Sequence, residues 1–269
     1  MKILKYWPIL VALVVLRAQN QQSGGKSNPA IGRITPEIVR ALATGMPELM
    51  EAAARGDKFS QFVLGMRYDA GNGVPKDPAQ AVGWYRKAAA QGVADAQYLL
   101  GSKYDEGEGV LKDAAQAVEW YRKSADQGHA MAQFSLGFMY AAGNGVPKDA
   151  AQAVGWYRKA AEQGVVGAQF VLGTRYEAGE GIPKDAAQAV GWYRKAAEQG
   201  DADAQNNLGL AYMKGNGVRK DLVLAYMWAN LAAAQSRQGS GKLRDDLERI
   251  MTQGQIAEAQ KLSREWKSK

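Results

Sequence analysis

A sequence motif that recurs every 36 residues limits the possible folds of this chain more than any other feature. In each copy a Leu-Gly pair is followed, at constant distances, by a tyrosine, a Gly-x-Gly turn, an aspartate and a tryptophan. The Leu-Gly pairs begin at Leu64, Leu100, Leu136, Leu172 and Leu208. Five copies run without a gap from Asp57 to Ser236 and take up 180 of the 269 residues. Repeats of this length are typical of proteins in which each copy packs on the next.

The second half of each copy carries the signals of a helix. In the second copy Asp113 is placed to cap that helix, and Gln116 is placed to complete a capping box. Gly128 stands where a glycine commonly ends a helix. Between them Ala117, Val118, Tyr121 and Ala125 have helical spacing. The same capping pair and terminal glycine recur in the first, third and fourth copies.

The first half of each copy predicts another helix, joined to the second by the Gly-x-Gly turn. Ala96, Leu100 and Tyr104 are spaced four residues apart and form one buried stripe. Gly101 interrupts this helix, and its return in every copy indicates that it lets the neighbouring helix approach closely. The turn glycines are expected to supply positive φ angles in a tight connection.

The combined pattern, from Ala-Gln-aromatic-x-Leu-Gly through Gly-x-Gly-Val-Pro-Lys-Asp to Trp-Tyr-Arg-Lys-Ala-Ala, resembles the Sel-one-like repeat family, which is related to the tetratricopeptide repeat. The resemblance implies an all-α fold, a right-handed α-solenoid of tandem helix-turn-helix repeats of 36 residues. The chain departs from the family at Gly83, Gly155 and Gly191, where a polar helix former is usual. These glycines are expected to soften the second helices.

We predict the following division of the chain from these patterns. The segments are a signal peptide or short anchor (1–18), a flexible linker (19–33), a partial repeat or capping helix (34–56), five repeats (57–92, 93–128, 129–164, 165–200 and 201–236), and C-terminal capping helices (237–269). In the last segment Leu243, Leu247, Ile250 and Met251 outline one amphipathic helix. A second helix is expected to start at Thr252.

The N-terminal segment has the pattern of a secretory signal. Lys2 and Lys5 precede an uncharged, largely apolar run over 6–16, which is shorter than the roughly 20 residues that span a bilayer. We therefore expect an exported protein, periplasmic or secreted, with N-terminal membrane anchoring through an uncleaved segment as the alternative. No cysteine follows the run, so a bacterial lipid anchor is excluded.

Composition excludes several classes of function. The chain has no cysteine and a single histidine, which removes disulfide scaffolds, thiol catalysis, cysteine-ligated metals and histidine-cluster metal sites. The net charge of +7 is concentrated at the two ends, whereas the long central part is nearly neutral. That distribution is not the footprint of a nucleic-acid-binding protein. We predict no catalytic residue, no cofactor, no metal and no nucleic-acid partner.

Four motifs invite a chemical interpretation that the sequence does not support. The Gly-x-Gly turns lack the preceding strand of a phosphate-binding loop. Ser23 and Lys26 match the Ser-x-x-Lys nucleophile motif but stand in the linker without partner motifs. His129 is expected to be an ordinary helix-start residue. The recurrent Arg-Lys pairs are expected to form a solvated outer face beside inward-pointing Trp and Tyr; they are Arg86-Lys87, Arg122-Lys123, Arg158-Lys159 and Arg194-Lys195.

The candidate binding face is the side of the first helices where the five copies differ. In tetratricopeptide proteins the matching positions line a concave groove that holds peptides, and the resemblance implies the same here. Aromatic side chains beside carboxylates suit an extended peptide with apolar and basic side chains. The alternative is that the aromatic residues simply belong to the core between repeats. The predicted groove residues are Phe62, Met66, Asp69, Tyr98, Ser102, Asp105, Met131, Phe134, Phe138, Phe170, Thr174, Glu177, Asn206 and Leu210.

These patterns favour a non-enzymatic scaffold or adaptor that binds a protein or peptide ligand. Two alternatives stay open. A cysteine-rich branch of the family is linked to penicillin binding and weak β-lactam hydrolysis, but this chain lacks the paired cysteines that mark it. The other alternative is a structural partner in envelope or polysaccharide-export assembly.

Overall fold

The computed structural model describes residues 35–235 and 241–266. Within these ranges every regular element is a helix, and no strand is present. The predicted signal segment, nearly all of the residues before the first helix and the Ser23–Lys26 motif lie outside them. The chain divides into two compact units, Met1–Lys148 and Asp149–Lys269. The division falls inside the third repeat.

The described part of the first unit consists of short helices, all but the first two of 13 residues. They are α1 (Pro36–Ala43), α2 (Met46–Ala54), α3 (Lys58–Ala70), α4 (Pro78–Ala90), α5 (Ala94–Glu106), α6 (Ala114–Asp126) and α7 (Ala130–Ala142). Helices α3 and α4 are the first and second helices of repeat 1, and α5 and α6 are those of repeat 2. In each repeat the two helices pack against each other. Their core contains the fully buried Leu64, Tyr85 and Leu100.

The described part of the second unit has the same plan, followed by two further helices. Its elements are α8 (Ala150–Glu162), α9 (Val166–Ala178), α10 (Ala186–Glu198), α11 (Ala202–Lys214), α12 (Leu222–Gln235), α13 (Lys242–Glu248) and α14 (Gln253–Glu265). Helices α13 and α14 pack on α12, and Trp266 meets Trp228 edge to face with ring centroids 4.7 Å apart. Ile250 does not join this core, because α13 ends at Glu248 and Ile250 is 59% exposed.

The aspartates cap the second helices as predicted, but the predicted capping box is not completed. Asp113 Oδ1 accepts a bond from the backbone N–H of Gln116 at 3.0 Å. The backbone N–H of Asp113 instead donates to the carbonyl oxygen of Tyr104 at 2.9 Å, so it has no need of the Gln116 side chain. A complete capping box is formed at Thr252 and Gln255, at the start of α14.

The glycine turns have the predicted positive φ angles and also carry a packing role. Gly107 ends α5 in the left-handed conformation at φ 77°. Two residues later Gly109 has φ 74° and lies against the first turn of α4, where an added Cβ would be 2.3 Å from the carbonyl oxygen of Pro78. Glycine is therefore required there both by the backbone conformation and by the close approach of the preceding repeat.

The helix glycines of the first helices allow the close approach that the sequence predicted. A Cβ at Gly65 or Gly101 would lie 2.7 Å from the tyrosine ring of the second helix, Tyr85 or Tyr121 respectively. Both tyrosine side chains are buried. The tyrosine ring occupies the space that a side chain at the glycine would fill, and this contact sets the spacing of the two helices.

Candidate partner-binding surface

In the first unit the predicted groove residues lie on α3, α5 and α7, and their aromatic members divide into core and surface. Phe62 is only 5% exposed and packs on Tyr85, with ring centroids 6.3 Å apart. Tyr98 is half-buried between Tyr121 at 5.9 Å and His129 at 4.8 Å. For these two residues the core alternative applies, because their rings pack on the tyrosine that joins the two helices of the repeat.

Phe138 on α7 differs from the other aromatic residues of this face. Its side chain is 64% exposed. Phe134 precedes it by one turn and Met131 by two turns on the same side of α7, and both are half-buried. The three residues form an apolar strip along one helix. Repeats 1, 2, 4 and 5 have Met66, Ser102, Thr174 and Leu210 at the position of Phe138.

The carboxylate of Asp69 is bound within the protein. Lys103 Nζ lies 2.6 Å from Asp69 Oδ1 and 2.7 Å from Glu108 Oε2, and Tyr85 donates its hydroxyl to Asp69 Oδ2 at 3.4 Å. Lys76 Nζ adds an ion pair to Glu108 at 3.4 Å. Sequence reasoning missed Lys103, which is only 6% exposed, because nothing in its own repeat shows that it reaches the preceding one.

The contacts within this charged cluster shift the pKa values of Lys103, Glu108 and Tyr85. Burial opposes the charge on Lys103, but hydrogen bonds from its ammonium to Asp69 and Glu108 raise its pKa on balance. The hydrogen bond from Lys103 lowers the pKa of Glu108. Burial, followed by the charge of Asp69, raises the pKa of Tyr85 well above its ordinary value. Lys103 and Glu108 are thus charged over the neutral range, and Tyr85 beside them keeps its hydroxyl proton.

Ser102 and Asp105 are half-buried on α5 and bonded to neighbours. Ser102 Oγ donates to Glu106 Oε1 at 2.8 Å, one turn further along the helix. Asn144 of the next repeat donates from Nδ2 to Asp105 Oδ1 at 3.5 Å. Asn144 in repeat 3 corresponds to Glu108 in repeat 2. The contact between repeats 2 and 3 therefore contains an amide hydrogen bond where the contact between repeats 1 and 2 contains ion pairs.

In the second unit the predicted residues lie on α9 and α11. Phe170 packs on Tyr193 with ring centroids 6.0 Å apart, and Thr174 Oγ1 donates to the carbonyl oxygen of Val171 at 2.7 Å. Glu177 is exposed and accepts the hydroxyl of Tyr193 at 2.6 Å through Oε2. Burial, and then Glu177, raises the pKa of Tyr193. Asn206 and Leu210 are half-buried.

The recurrent Arg-Lys pairs lie largely at the surface, as predicted, but they also join neighbouring elements. Lys87 Nζ stands 4.0 Å from the ring centre of the half-buried Trp84, and the pattern repeats at Trp120, Trp156 and Trp192. The arginine of each pair reaches the next repeat and donates to a tyrosine hydroxyl. These bonds are Arg86–Tyr104, Arg122–Tyr140, Arg158–Tyr176 and Arg194–Tyr212, at 3.0, 2.6, 3.1 and 2.9 Å.

A glutamine in each first helix forms a second set of bonds that sequence reasoning missed. Gln97 Nε2 donates to the carbonyl oxygen of Ala89 at 3.0 Å, which ties the first helix to the end of the preceding repeat. Its Oε1 accepts from Gln127 Nε2 at 2.7 Å. The sequence signal for these bonds is the constant separation of 30 residues between the two glutamines, which recurs at Gln61–Gln91, Gln169–Gln199 and Gln205–Gln235.

His129 has the structural role that the sequence predicted for it. It caps α7, and its Nδ1 accepts the backbone N–H of Ala132 at 3.2 Å. Its Nε2 lies 3.4 Å from Asp95, and its ring stacks on Tyr98. Within the described ranges no group of three or more His, Asp or Glu residues is arranged to hold a metal ion.

None of the described helices combines the length and the apolar composition that crossing a membrane requires.

Comparison with known proteins identifies the repeat. The family model of the Sel1 repeat matches residues 58–93, 94–129, 130–165, 166–201 and 202–236. No match is found among curated protein sequences.

Two solved structures with the same fold are 33% identical to this chain. One is a protective antigen present in uropathogenic Escherichia coli strains that displays an SLR fold, with a TM-score of 0.76 over 94% of this chain. This chain spans 56% of the length of that protein. The other is a Sel1 repeat protein from Oxalobacter formigenes, with a TM-score of 0.72 and coverage of 86% of this chain and 98% of that one. The all-α fold of tandem 36-residue helix pairs is confirmed, and the chain belongs to the Sel1 repeat family.

Proposed function

We propose that this protein is a non-enzymatic binding scaffold whose first-helix face takes an extended segment of a partner protein. Sel1 repeat proteins commonly serve as protein-interaction scaffolds. The observation that carries the proposal is the exposed ring of Phe138, which is 64% accessible and stands in line with Met131 and Phe134 on α7. A few aromatic anchors surrounded by apolar neighbours commonly supply most of the binding energy at a protein interface.

The composition of the N-terminal segment supports an exported location for this scaffold. Lys2 and Lys5 followed by the apolar run over 6–16 have the pattern of a secretory signal. The proposed partner is then a protein of the bacterial envelope or its exterior.

Selection from a displayed library of random 12-residue peptides against the full-length chain tests the binding face. The variant Phe138→Asp places a charge where the partner's apolar side chain would pack, and the peptides selected by the wild type are expected to lose roughly tenfold or more in affinity for it. Leu111→Asp is the matched control, because Leu111 is 89% exposed in a turn of the same unit. Peptides that bind both variants and the wild type equally would exclude the Phe138 face as the binding surface.

A further inference from the structure

The first unit contains an internal binding site for a lysine side chain. The Lys103 ammonium lies between Asp69 Oδ1 and Glu108 Oε2, at 2.6 and 2.7 Å. The second oxygen of Asp69 accepts the hydroxyl of Tyr85. We call these surroundings of the ammonium the frame. It consists of Tyr85, which orients the carboxylate of Asp69, and Glu108, a turn residue of the following repeat that also contacts the ammonium.

The second unit has the same frame, but its sequence supplies no lysine. Tyr193 donates to Glu177 Oε2 at 2.6 Å, as Tyr85 does to Asp69. The residue at the position of Lys103 is Ala211, and the residue at the position of Glu108 is Asn216. The missing side-chain volume leaves a cavity of about 70 Å³ that opens to solvent, and its lining consists of Glu177, Asn207, Leu210, Ala211, Lys214 and Asn216.

The lining of this cavity suits an ammonium group on an apolar stem. An ammonium donates three hydrogen bonds and accepts none. The carboxylate of Glu177 and the amide oxygens of the two asparagines are acceptors, while Leu210 and Ala211 offer apolar contact to methylene groups. The small volume favours a lysine over the broad planar guanidinium of an arginine.

Lys214 at the rim is the one basic residue among the lining residues. Its side chain is exposed. Its charge opposes the entry of another cation, so its removal is expected to strengthen binding.

We infer that this cavity binds the side chain of a lysine in the partner segment, with Glu177 as its counter-ion. The inference rests on the proposed function and specifies its partner as a lysine-bearing peptide. Glu177 and Leu210 belong to the predicted groove, so the cavity lies on the face that the sequence assigned to binding.

The test uses two small probes that differ only in the terminal ammonium group, which the norleucine side chain lacks. N-acetyl-lysine-N-methylamide and N-acetyl-norleucine-N-methylamide are titrated into the full-length ¹⁵N-labelled chain, and the side-chain amide resonances of Asn207 and Asn216 are followed. Saturable shifts with the lysine probe in the millimolar range, and none with the norleucine probe, are expected. Equal shifts with both probes, or no saturation, would overturn the inference.

Variants of the cavity provide the matched controls. Glu177→Gln should weaken binding of the lysine probe roughly fivefold, whereas Glu162→Gln, an exposed carboxylate on α8, should leave it unchanged. Ala211→Lys recreates the lysine of repeat 2 and should abolish the saturable shifts, while Lys214→Ala should enhance them. Unaltered binding in Glu177→Gln would contradict the inference even if Ala211→Lys failed to fold.

The probe titration and the peptide selection can fail separately, so failure of the cavity inference is distinguishable from failure of the Phe138 proposal. If the lysine probe fails to bind, only the cavity inference is overturned, because the peptide selection tests the surface around Phe138. If Phe138→Asp fails to reduce peptide affinity, only the Phe138 proposal is overturned, because the titration reports on the cavity beside Glu177.

Discussion

The two glycines inside the helices of the first repeat have opposite surroundings. A Cβ at Gly65 in α3 would lie 2.7 Å from the ring of Tyr85, whereas nothing lies within 4 Å of one at Gly83 in α4. Glycine costs about 0.5–1 kcal/mol relative to alanine in either helix. Only at Gly65 is that cost offset, because the missing side chain lets the two helices of the repeat pack closely.

The same contrast recurs in the second unit, at Gly173 and Gly191. We call the surface between the two helices of a repeat, with its glycine and tyrosine, the contact face. The side of the second helix that carries Gly83 or Gly191 is the outer face. Packing constrains residues on the contact face and at the junctions between repeats, and it leaves the outer face free to change.

The largest expected effect concerns the charged junction beside the contact face. Lys103→Met would leave Asp69 and Glu108 without their shared ammonium, and because these carboxylates are partly buried the free energy of unfolding should fall by about 3 kcal/mol. Urea denaturation followed by circular dichroism measures the loss.

Repeat 3 supplies the control for that substitution, since its residues at these positions are Met139 and Asn144. Lys103→Met combined with Glu108→Asn imitates that junction, in which the asparagine donates to the carboxylate of the preceding repeat. The double variant should recover much of the lost stability. If it were less stable than Lys103→Met alone, the correspondence between the two junctions would be wrong.

A methyl group on the contact face should have the next largest effect. Gly65→Ala would push the ring of Tyr85, which is 1% exposed, out of its packed position, at a cost of about 2 kcal/mol. Gly173→Ala should behave alike, because its Cβ would lie 2.6 Å from Tyr193. A neutral result in the denaturation curve of either variant would show that the tyrosine can move aside freely.

The same methyl group on the outer face should stabilise the protein. Gly83→Ala removes a helix-interior glycine where the Cβ meets no atom, and about 0.5–1 kcal/mol should be gained. Gly191→Ala is the equivalent variant in the second unit. Comparing the urea midpoints of Gly65→Ala and Gly83→Ala, which differ in sign, is the sharpest test of the distinction between the two faces.

The smallest expected effect is a pH dependence of the charged junction. The folded pKa of Glu108 lies below the ordinary value of 4.5, so its stabilising contribution is present above pH 4.5 and is lost as the pH falls through the folded pKa. The raised pKa of Lys103 keeps its contribution throughout the neutral range and loses it only in alkaline solution. Glu108→Gln should flatten the acid side of a plot of urea midpoint against pH, and an unchanged acid side would contradict this assignment.

Much of the fold could be predicted because its determinants lie close together in the sequence. The aspartate caps, the left-handed glycines and the stripe of Ala96, Leu100 and Tyr104 each depend on residues a few positions apart. The prediction of a capping box at Asp113 was wrong because of a contact with a residue outside the motif. The backbone N–H of Asp113 donates to the carbonyl oxygen of Tyr104 in the preceding helix.

The candidate site was less predictable because exposure depends on neighbouring helices. The sequence patterns assigned Phe62 and Phe138 to the same face, yet one is 5% and the other 64% exposed. Phe62 packs on Tyr85, whereas Phe138 lies one turn beyond the position that corresponds to Phe62 and points away from the core. The identity of neither residue reveals this difference.

Local sequence patterns were sufficient to establish the helix pairs, their turns, the period and membership of the Sel1 repeat family, because these follow from local conformation repeated five times. The three-dimensional packing was needed to show that Lys103 pairs with Asp69 of the preceding repeat, that Glu177 faces a cavity where Ala211 replaces that lysine, and that Phe138 reaches solvent. Each of these depends on residues from neighbouring elements coming within a few ångströms, and no spacing inside a single repeat encodes that distance.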